Sequence, residues 1–169
     1  LPDRKLDESH PLWPMSHYGA HKAAIEKFVH SYGLGEGFPI CALRPTGIYG
    51  VARPLSSSKC LELVQRVKRG EPISSAKGGK EVHAGDVAKA VRLLLTADGI
   101  AGQVYNCYDR YVAEQEVAMI AKRLSGSSSA IEKLNTGPKN QIDTSKLRSL
   151  GMEFGGEQRL EATVRELLG

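Results

Sequence analysis

The sequence predicts an α/β layered fold, because short apolar runs typical of buried strands alternate with amphipathic segments that have helical spacing. The two clearest strand candidates are residues 38–43 and 103–107, which are both short and apolar. Helical spacing of apolar residues is plain in three segments, 16–32, 56–69 and 87–96. With 169 residues, of which 41% are hydrophobic, the chain can bury a core of ordinary size.

Local signals predict where the other elements begin and end. Ser16 is a suitable N-cap for the first helix, and Gly33 a suitable end for it. Proline and glycine predict a loop over residues 44–50, and glycine predicts a turn over residues 77–80. Asp86 is expected to cap the third helix. Further predictions are a helix at 112–124, a short strand at 130–134, a helical turn at 144–150 and a last helix at 157–168.

Composition and charge argue against several classes of function. The net charge of +4 is mild and the basic residues are scattered, so no nucleic-acid partner is expected. Cys41, Cys60 and Cys107 have no C-x-x-C spacing, which predicts neither a disulfide framework nor a metal site. No signal peptide, transmembrane run or lipidation motif is recognisable, so the expected compartment is the cytoplasm and no membrane partner is expected.

The residues best suited to chemistry are Tyr18 and Lys22, near the start of the first helix. Residues at i and i+4 share a helix face, so the phenol and the ammonium can point into one pocket. A neighbouring cation favours the phenolate, so such a tyrosine can take or return a proton on a substrate hydroxyl or carbonyl. The same spacing also fits an exposed tyrosine and a solvated lysine, and the motif alone does not decide between the two.

Two further segments contain candidate residues. The stretch from Arg44 to Gly50 follows a predicted strand, and ligands bind at the carboxyl ends of strands in sheets with crossover helices. Arg44 alternatively forms a salt bridge, and the glycines alternatively only turn the chain. His83 and Asp86 suit structural roles, as a hydrogen-bonded histidine and a helix cap.

Five short motifs follow one another along the chain. They are Tyr18-x-x-x-Lys22, Arg44-Pro45-x-x-Ile48-Tyr49-Gly50, His83-x-x-Asp86-Val87-Ala88, Tyr105-Asn106, and Asp143-x-Ser145-Lys146-Leu147-x-x-Leu150-Gly151. Their order and spacing resemble the extended short-chain dehydrogenase/reductase family, and within it the NAD-dependent epimerase/dehydratase branch. The resemblance covers nearly the whole chain. It implies the C-terminal part of a Rossmann-like doubly wound sheet, joined to a small α/β substrate-binding lobe.

The resemblance also implies a role for each matching residue. Tyr18 would be the general acid/base in hydride transfer at a sugar or related alcohol carbon, and Lys22 would hold the nicotinamide ribose. The cofactor, NAD or NADP, would contact Tyr18, Lys22, Arg44, Pro45, Thr46, Gly47 and Ile48. The substrate is a small molecule, with a nucleotide-sugar as one candidate, and would meet Tyr49, Lys80 and His83. The first long helix, residues 17–33, is the usual dimer contact of the family, so a homodimer is implied.

The chain departs from the family pattern in three places. The strand and G-x-x-G-x-x-G fingerprint that open these families are absent, and the glycines at 33–37 precede a strand instead of following one. The catalytic Ser or Thr of the family would lie before Leu1. The Arg that grips a diphosphate in many members has no counterpart at 79–82.

We therefore expect the C-terminal half of such an enzyme, inactive as an isolated chain of 169 residues. Residues 1–50 would end the dinucleotide-binding Rossmann domain, and residues 51–169 would form a mixed substrate lobe with returning Rossmann elements. Two other functions stay open. One is a non-catalytic module that senses the dinucleotide. The other is a protein-interaction module that uses the basic helix around Arg66, for which binding would be sensitive to salt.

Overall fold

The computed structural model describes residues 5–135, 137 and 140–169. Strands and helices alternate in it, which confirms the predicted α/β class. The strands are β1 (Ala42–Pro45), β2 (Gly47–Tyr49), β3 (Gly78–His83), β4 (Val104–Cys107) and β5 (Arg110–Ala113). The helices are α1 (His17–His30), α2 (Leu61–Lys68), α3 (Ala84–Leu94), α4 (Glu114–Ser125), α5 (Ser145–Arg148) and α6 (Gly156–Leu168).

The chain divides into two compact units that interleave along the sequence. Unit 1 contains the described residues up to Pro45, together with Val87–Tyr108 and Asn140–Glu153. In unit 1, β1 and β4 pair in parallel, with Ala42 opposite Val104. Its buried apolar residues are Val29, Ala90, Leu94, Val104, Tyr105, Cys107, Tyr108, Leu147 and Met152.

Unit 2 contains the described residues of Thr46–Asp86, Asp109–Lys139 and Phe154–Gly169. Its sheet has the order β2-β3-β5, with β2 parallel and β5 antiparallel to β3. Helices α2, α4 and α6 contact one another. Its core is formed mainly by Tyr49, Val64, Val67, Ile73, Val112, Val117, Ala118, Ile120, Ala121, Leu160, Val164 and Leu167.

Helix α1 begins as the sequence predicts and ends differently. The Ser16 hydroxyl accepts a hydrogen bond from the backbone N–H of Gly19 at 3.1 Å, which is the expected N-cap. The α-helix ends at His30, and the chain continues as a π-helical turn over Ser31–Gly35. A Cβ on Gly33 would collide with the backbone of Gly102. Gly33 is therefore required by a close approach of two backbones within unit 1, not by a helix stop.

The loop predicted at 44–50 and the turn predicted at 77–80 are wrong. Arg44 and Pro45 end β1, residues 47–49 form β2, and Gly78 opens β3. The reason is pairing between segments that lie far apart in the sequence. Gly47, for example, is the register partner of Glu81. Gly78 lies against the ring of Tyr111, since a Cβ there would be 2.6 Å from the Tyr111 Cζ.

Other boundaries also differ from the predictions. Helix α3 begins at Ala84, so Asp86 lies inside its first turn. The Asp86 carboxylate accepts the Gly155 N–H at 3.0 Å instead of capping the helix.

Strand β5 takes the residues predicted to begin a helix at 112. The strand predicted at 130–134 is a single bridge between Ile131 and Ile73. The predicted helix at 56–69 is shorter, Leu61–Lys68. Strand β4 and helix α6 are confirmed to within a residue or two.

Candidate functional site

Tyr18 and Lys22 lie on one face of α1, in its first two turns. The Tyr18 side chain is 74% exposed, and Lys22 is exposed as well. The Lys22 Nζ lies 5.4 Å from the centroid of the Tyr18 ring, within the range of a cation–π contact. The helical spacing therefore does bring the phenol and the ammonium together, and both are accessible to a ligand.

Arg44, at the end of β1, makes a bidentate ion pair with Glu26 on α1. Its Nε donates to Oε2 of Glu26 at 2.8 Å, and its Nη2 donates to Oε1 at 2.5 Å. The Glu26 side chain is 8% exposed and that of Arg44 is 23% exposed. Glu26 lies one helical turn after Lys22, so this pair ties the face that carries Lys22 to β1. Arg44 therefore forms a salt bridge, which was the alternative role predicted for it. A direct contact between Arg44 and the cofactor stays a prediction.

Two of the sequence motifs meet at Asn106, which is buried in unit 1. The Asn106 N–H donates to Oε1 of Glu8 at 2.8 Å. Its side-chain amide donates to the carbonyls of Leu6 and Asp143, at 3.2 and 3.0 Å. These bonds join β4 to the segment before α1 and to the segment before α5, so the Tyr105-Asn106 and Asp143 motifs have a structural role.

The predicted nicotinamide contacts lie where β1 passes into β2. Pro45, Gly47 and Ile48 are exposed, with Ile48 at 47%. The Thr46 hydroxyl is buried and has no hydrogen-bond partner among the described residues. Such an unpaired buried hydroxyl is costly in a folded chain unless a ligand or a water molecule completes it.

Tyr49 and His83, both predicted to meet substrate, pack against each other in unit 2. Their ring centroids are 5.2 Å apart at 73°. Tyr49 is 5% exposed, and burial, assisted by the Asp109 carboxylate, raises the pKa of its phenol. The His83 Nδ1 accepts the Gly85 N–H at 3.0 Å, so the neutral ring carries its proton on Nε2. Burial, assisted by Arg159, lowers the pKa of His83.

We expect acid to destabilise the protein through His83. The unfolded chain protonates this histidine near pH 6.5, whereas the folded pKa is lower, so the unfolded state binds more protons between the two values. The free energy of unfolding should therefore fall as pH decreases from about 6.5 through the folded pKa, and should be unaffected above that window. His83→Gln should flatten this part of the pH profile, measured by urea unfolding. Equal slopes in both proteins would contradict it.

Unit 2 contains a cavity of about 510 Å³ that the sequence did not reveal as one site. It is lined by Tyr49, Lys59, Cys60, Leu63, Ala76, Lys77, Gly78, Gly79, Glu81, Tyr111, Val112, Glu114, Val117 and Leu160. Of the three residues predicted to meet substrate, only Tyr49 lines it. The sequence reasoning missed Lys59 and Glu81. One signal for Glu81 was available in the sequence, because it is a charged residue among glycine and valine in a segment that resembles a strand.

Two arginines of the basic group at the end of α2 are paired with nearby carboxylates. Arg69 pairs with Glu62 and Glu71 at 3.2 and 2.7 Å, and Arg66 pairs with Glu71 at 3.0 Å. Hydrogen bonds from the two arginines lower the pKa of Glu71. This arrangement weakens the case for α2 as a surface that attracts an acidic partner.

Two kinds of site are not found in the part of the chain that the structure describes. No helix there is long and apolar enough to cross a membrane. No group of three or more His, Cys, Asp or Glu side chains there is arranged to hold a metal ion.

The parallel β1–β4 pair and the capped helix with Tyr18 and Lys22 agree with the Rossmann-like α/β arrangement that the five motifs imply. The chain belongs to the NAD dependent epimerase/dehydratase family, whose model matches residues 1–107. This confirms the resemblance drawn from the five motifs.

Two curated relatives extend the similarity beyond the family match. The chain is 28% identical over 166 residues to the dTDP-D-glucose 4,6-dehydratase of Mus musculus, covering 88% of this chain and 46% of the relative. It is 30% identical over 125 residues to the dTDP-D-glucose 4,6-dehydratase of Homo sapiens, covering 72% of this chain and 35% of the relative. The chain thus spans less than half of the length of either relative.

Solved structures agree on the fold. The UDP-glucose 4-epimerase of Thermus thermophilus in complex with NAD matches with a TM-score of 0.71 and 24% identity, over 98% of this chain and 58% of that one. The dTDP-glucose 4,6-dehydratase of Bacillus anthracis in complex with NAD matches with a TM-score of 0.70 and 21% identity, over 96% and 55%. At these identities the likeness shows the fold alone, and it confirms the Rossmann-like prediction.

Proposed function

We propose that this chain supplies the acid/base residue and the substrate lobe of an enzyme that transfers hydride at a carbon of a sugar or related alcohol. The observation that carries the proposal is the exposed pair of Tyr18 and Lys22, with the ammonium 5.4 Å from the ring centroid. Membership of a family of epimerases and dehydratases supports it. Epimerisation, dehydration and simple reduction are all compatible with this pair.

The residues present fit a nicotinamide dinucleotide, NAD or NADP. Lys22 offers an exposed ammonium to a ribose, and Pro45, Gly47 and Ile48 offer an exposed surface. The buried Thr46 hydroxyl, which has no partner in the described part of the chain, offers a hydrogen bond. The similar solved structures from Thermus thermophilus and Bacillus anthracis are NAD complexes by name.

When bound, the dinucleotide supplies a site that accepts a hydride and returns it. Tyr18 orients the reacting hydroxyl and takes its proton as a general base, and it gives the proton back as a general acid. Lys22 stabilises the negative charge that develops on the phenol oxygen. The Glu26–Arg44 pair holds the face of α1 that carries both residues.

Replacing Lys22 with methionine should weaken binding of NAD⁺ by the full-length enzyme. Loss of a hydrogen bond from a charged group costs about 1.5–3 kcal/mol, which is about tenfold to 150-fold in Kd. Lys27→Met is the matched control, because Lys27 is also exposed on α1. Titration calorimetry measures both variants, and equal affinities for NAD⁺ would remove Lys22 from the cofactor site.

The alternative from another class is a non-catalytic module that senses the dinucleotide on the same fold. It would bind NAD⁺ with the same dependence on Lys22 and would form no product from any sugar or alcohol. Analysis of the products by NMR, after incubation with NAD⁺ and a panel of sugars and sugar nucleotides, separates the two, because an enzyme that returns the hydride to its substrate accumulates no reduced nicotinamide.

We also propose that the protein forms a homodimer through the helix at 17–33. Ile25, Phe28 and Tyr32 recur at helical spacing on α1 and its continuation, and they are 55%, 64% and 46% exposed. Such an apolar face is typical of an interaction surface. Phe28→Asp should convert the dimer to a monomer in light scattering after gel filtration. A monomeric wild-type protein, or a dimer unaffected by this change, would contradict the proposal.

A further inference from the structure

A groove of about 350 Å³ in unit 1 contains Lys22, and part of its lining has no role in the proposed function. One wall is the charged face of α1, with Lys22 and the Glu26–Arg44 pair. The other wall is residues 11–14, a segment of proline and large apolar side chains that precedes α1. A molecule held by Lys22 therefore has an apolar surface beside it.

The apolar wall contains one exposed aromatic side chain. Trp13 is 83% exposed, although folded proteins bury most of the surface of an average tryptophan. Among the described residues, no aromatic ring and no cation lies against its indole. The face of the indole is therefore available to a planar ring of a ligand.

The chain holds the segment that carries Trp13 with little conformational freedom. Pro11 and Pro14 each fix a backbone φ angle on either side of Leu12 and Trp13. Pro14 lies against the first turn of α1, since a Cβ on Gly19 would be 3.2 Å from the Pro14 Cβ. A segment that is already ordered loses little entropy when a ligand binds, which favours its use as a binding surface.

A planar, electron-poor ring suits the indole best. The face of an aromatic ring is negative, and a second ring stacked on it with an offset gains from that charge distribution. The oxidised nicotinamide ring carries a positive charge, which strengthens the attraction. Glu26 and Arg44 neutralise each other, so the charge of the lining comes from Lys22. The Lys22 ammonium suits the hydroxyls of a ribose, and the indole suits the ring attached to that ribose.

We propose that Trp13 is the platform on which the nicotinamide ring of the dinucleotide stacks. The inference rests on the proposed function, in which Lys22 holds the ribose of the same nicotinamide. It adds a cofactor-binding residue that lies outside the five motifs and in the same unit as Tyr18 and Lys22.

Nucleotide binding to the full-length protein, freed of bound nucleotide, tests this with NAD⁺ and ADP-ribose as the two probes. ADP-ribose lacks only the nicotinamide ring. Trp13→Leu should weaken binding of NAD⁺ by about fivefold, the scale of one aromatic stacking pair, and should leave that of ADP-ribose unchanged. Trp13→Phe keeps an aromatic ring and should restore most of the affinity for NAD⁺. Titration calorimetry measures all three proteins.

Met15→Leu is the matched control, because Met15 is fully exposed, lies two residues away and is not one of the residues that line the groove. It should leave both affinities unchanged. Fluorescence gives a second readout, since Trp13 is the only tryptophan of these 169 residues. Its emission, taken as the difference between the wild type and Trp13→Phe, should be quenched by NAD⁺ and not by ADP-ribose or UDP-glucose.

Four results would overturn the inference. Unchanged affinity for NAD⁺ in Trp13→Leu would remove the stacking contact. Equal loss of affinity for NAD⁺ and ADP-ribose would mean that the change disturbs the segment and not a ring contact. Quenching by UDP-glucose alone would make Trp13 a substrate contact. An indole that acrylamide does not quench in the nucleotide-free protein is covered by another part of the protein or by a second copy.

The proposed function fails by different measurements. It requires that Lys22→Met weaken NAD⁺ binding and that Tyr18→Phe lower kcat. If both effects appear while Trp13→Leu has none, only the role of Trp13 falls. If Lys22→Met has no effect on NAD⁺ affinity, the cofactor site itself is lost.

Discussion

Replacing Tyr18 with phenylalanine should lower kcat by about two to four orders of magnitude, which is the usual scale for loss of a general acid/base. The change removes only the hydroxyl. The ring that Lys22 contacts stays in place, at the capped start of α1. Affinity for NAD⁺ should therefore stay close to that of the wild type. The measurement is kcat in the full-length enzyme, together with Kd for NAD⁺.

Tyr32→Phe is the matched control, because Tyr32 is also exposed and lies just beyond the same helix. It should leave kcat within about twofold, because it removes only a hydroxyl and keeps the Tyr32 ring, which belongs to the proposed dimer face. If Tyr18→Phe has the same small effect, Tyr18 is a surface residue and the acid/base lies elsewhere. If both variants lose NAD⁺ binding, the changes have disturbed α1 and not the chemistry.

Replacing Glu26 with alanine should lower the free energy of unfolding by about 3 kcal/mol, as expected when one partner of a buried ion pair is removed. Arg44, whose side chain is 23% exposed, would lose its carboxylate partner and would keep a weak 3.5 Å contact to the Glu8 carbonyl. Because Glu26 lies one turn after Lys22, kcat should fall as well. Urea unfolding and steady-state kinetics measure the two effects.

Glu161→Ala is the control for this prediction. Glu161 pairs with Arg123 and Arg165 on the surface, where solvent screens the interaction, so its loss should change the free energy of unfolding much less. If the two variants are equally stable, the Glu26–Arg44 pair does not hold α1 to β1. Loss of stability with unchanged kcat would make the pair structural only.

The sequence by itself determined the parts of this protein that depend on residues within one or two helical turns of each other along the chain. The Ser16 cap and the i, i+4 spacing of Tyr18 and Lys22 are local, and the structure has both. Strand β4 and helix α6 also follow from their own apolar patterns. The family follows from the order of the motifs, and the family match confirms it.

Only the tertiary structure decided the features that depend on partners far apart in the sequence. Residues 47–49 and 78–80 look like turns because they contain glycine, yet they are strands because they pair with β3 and β5 respectively. A Cβ at Gly47 or Gly79 would collide with the Glu81 carboxylate, a contact that no local pattern can indicate. A strand and a buried ion pair are stable only when a distant segment completes them, whereas a capped helix carries its hydrogen-bond partners in its own sequence.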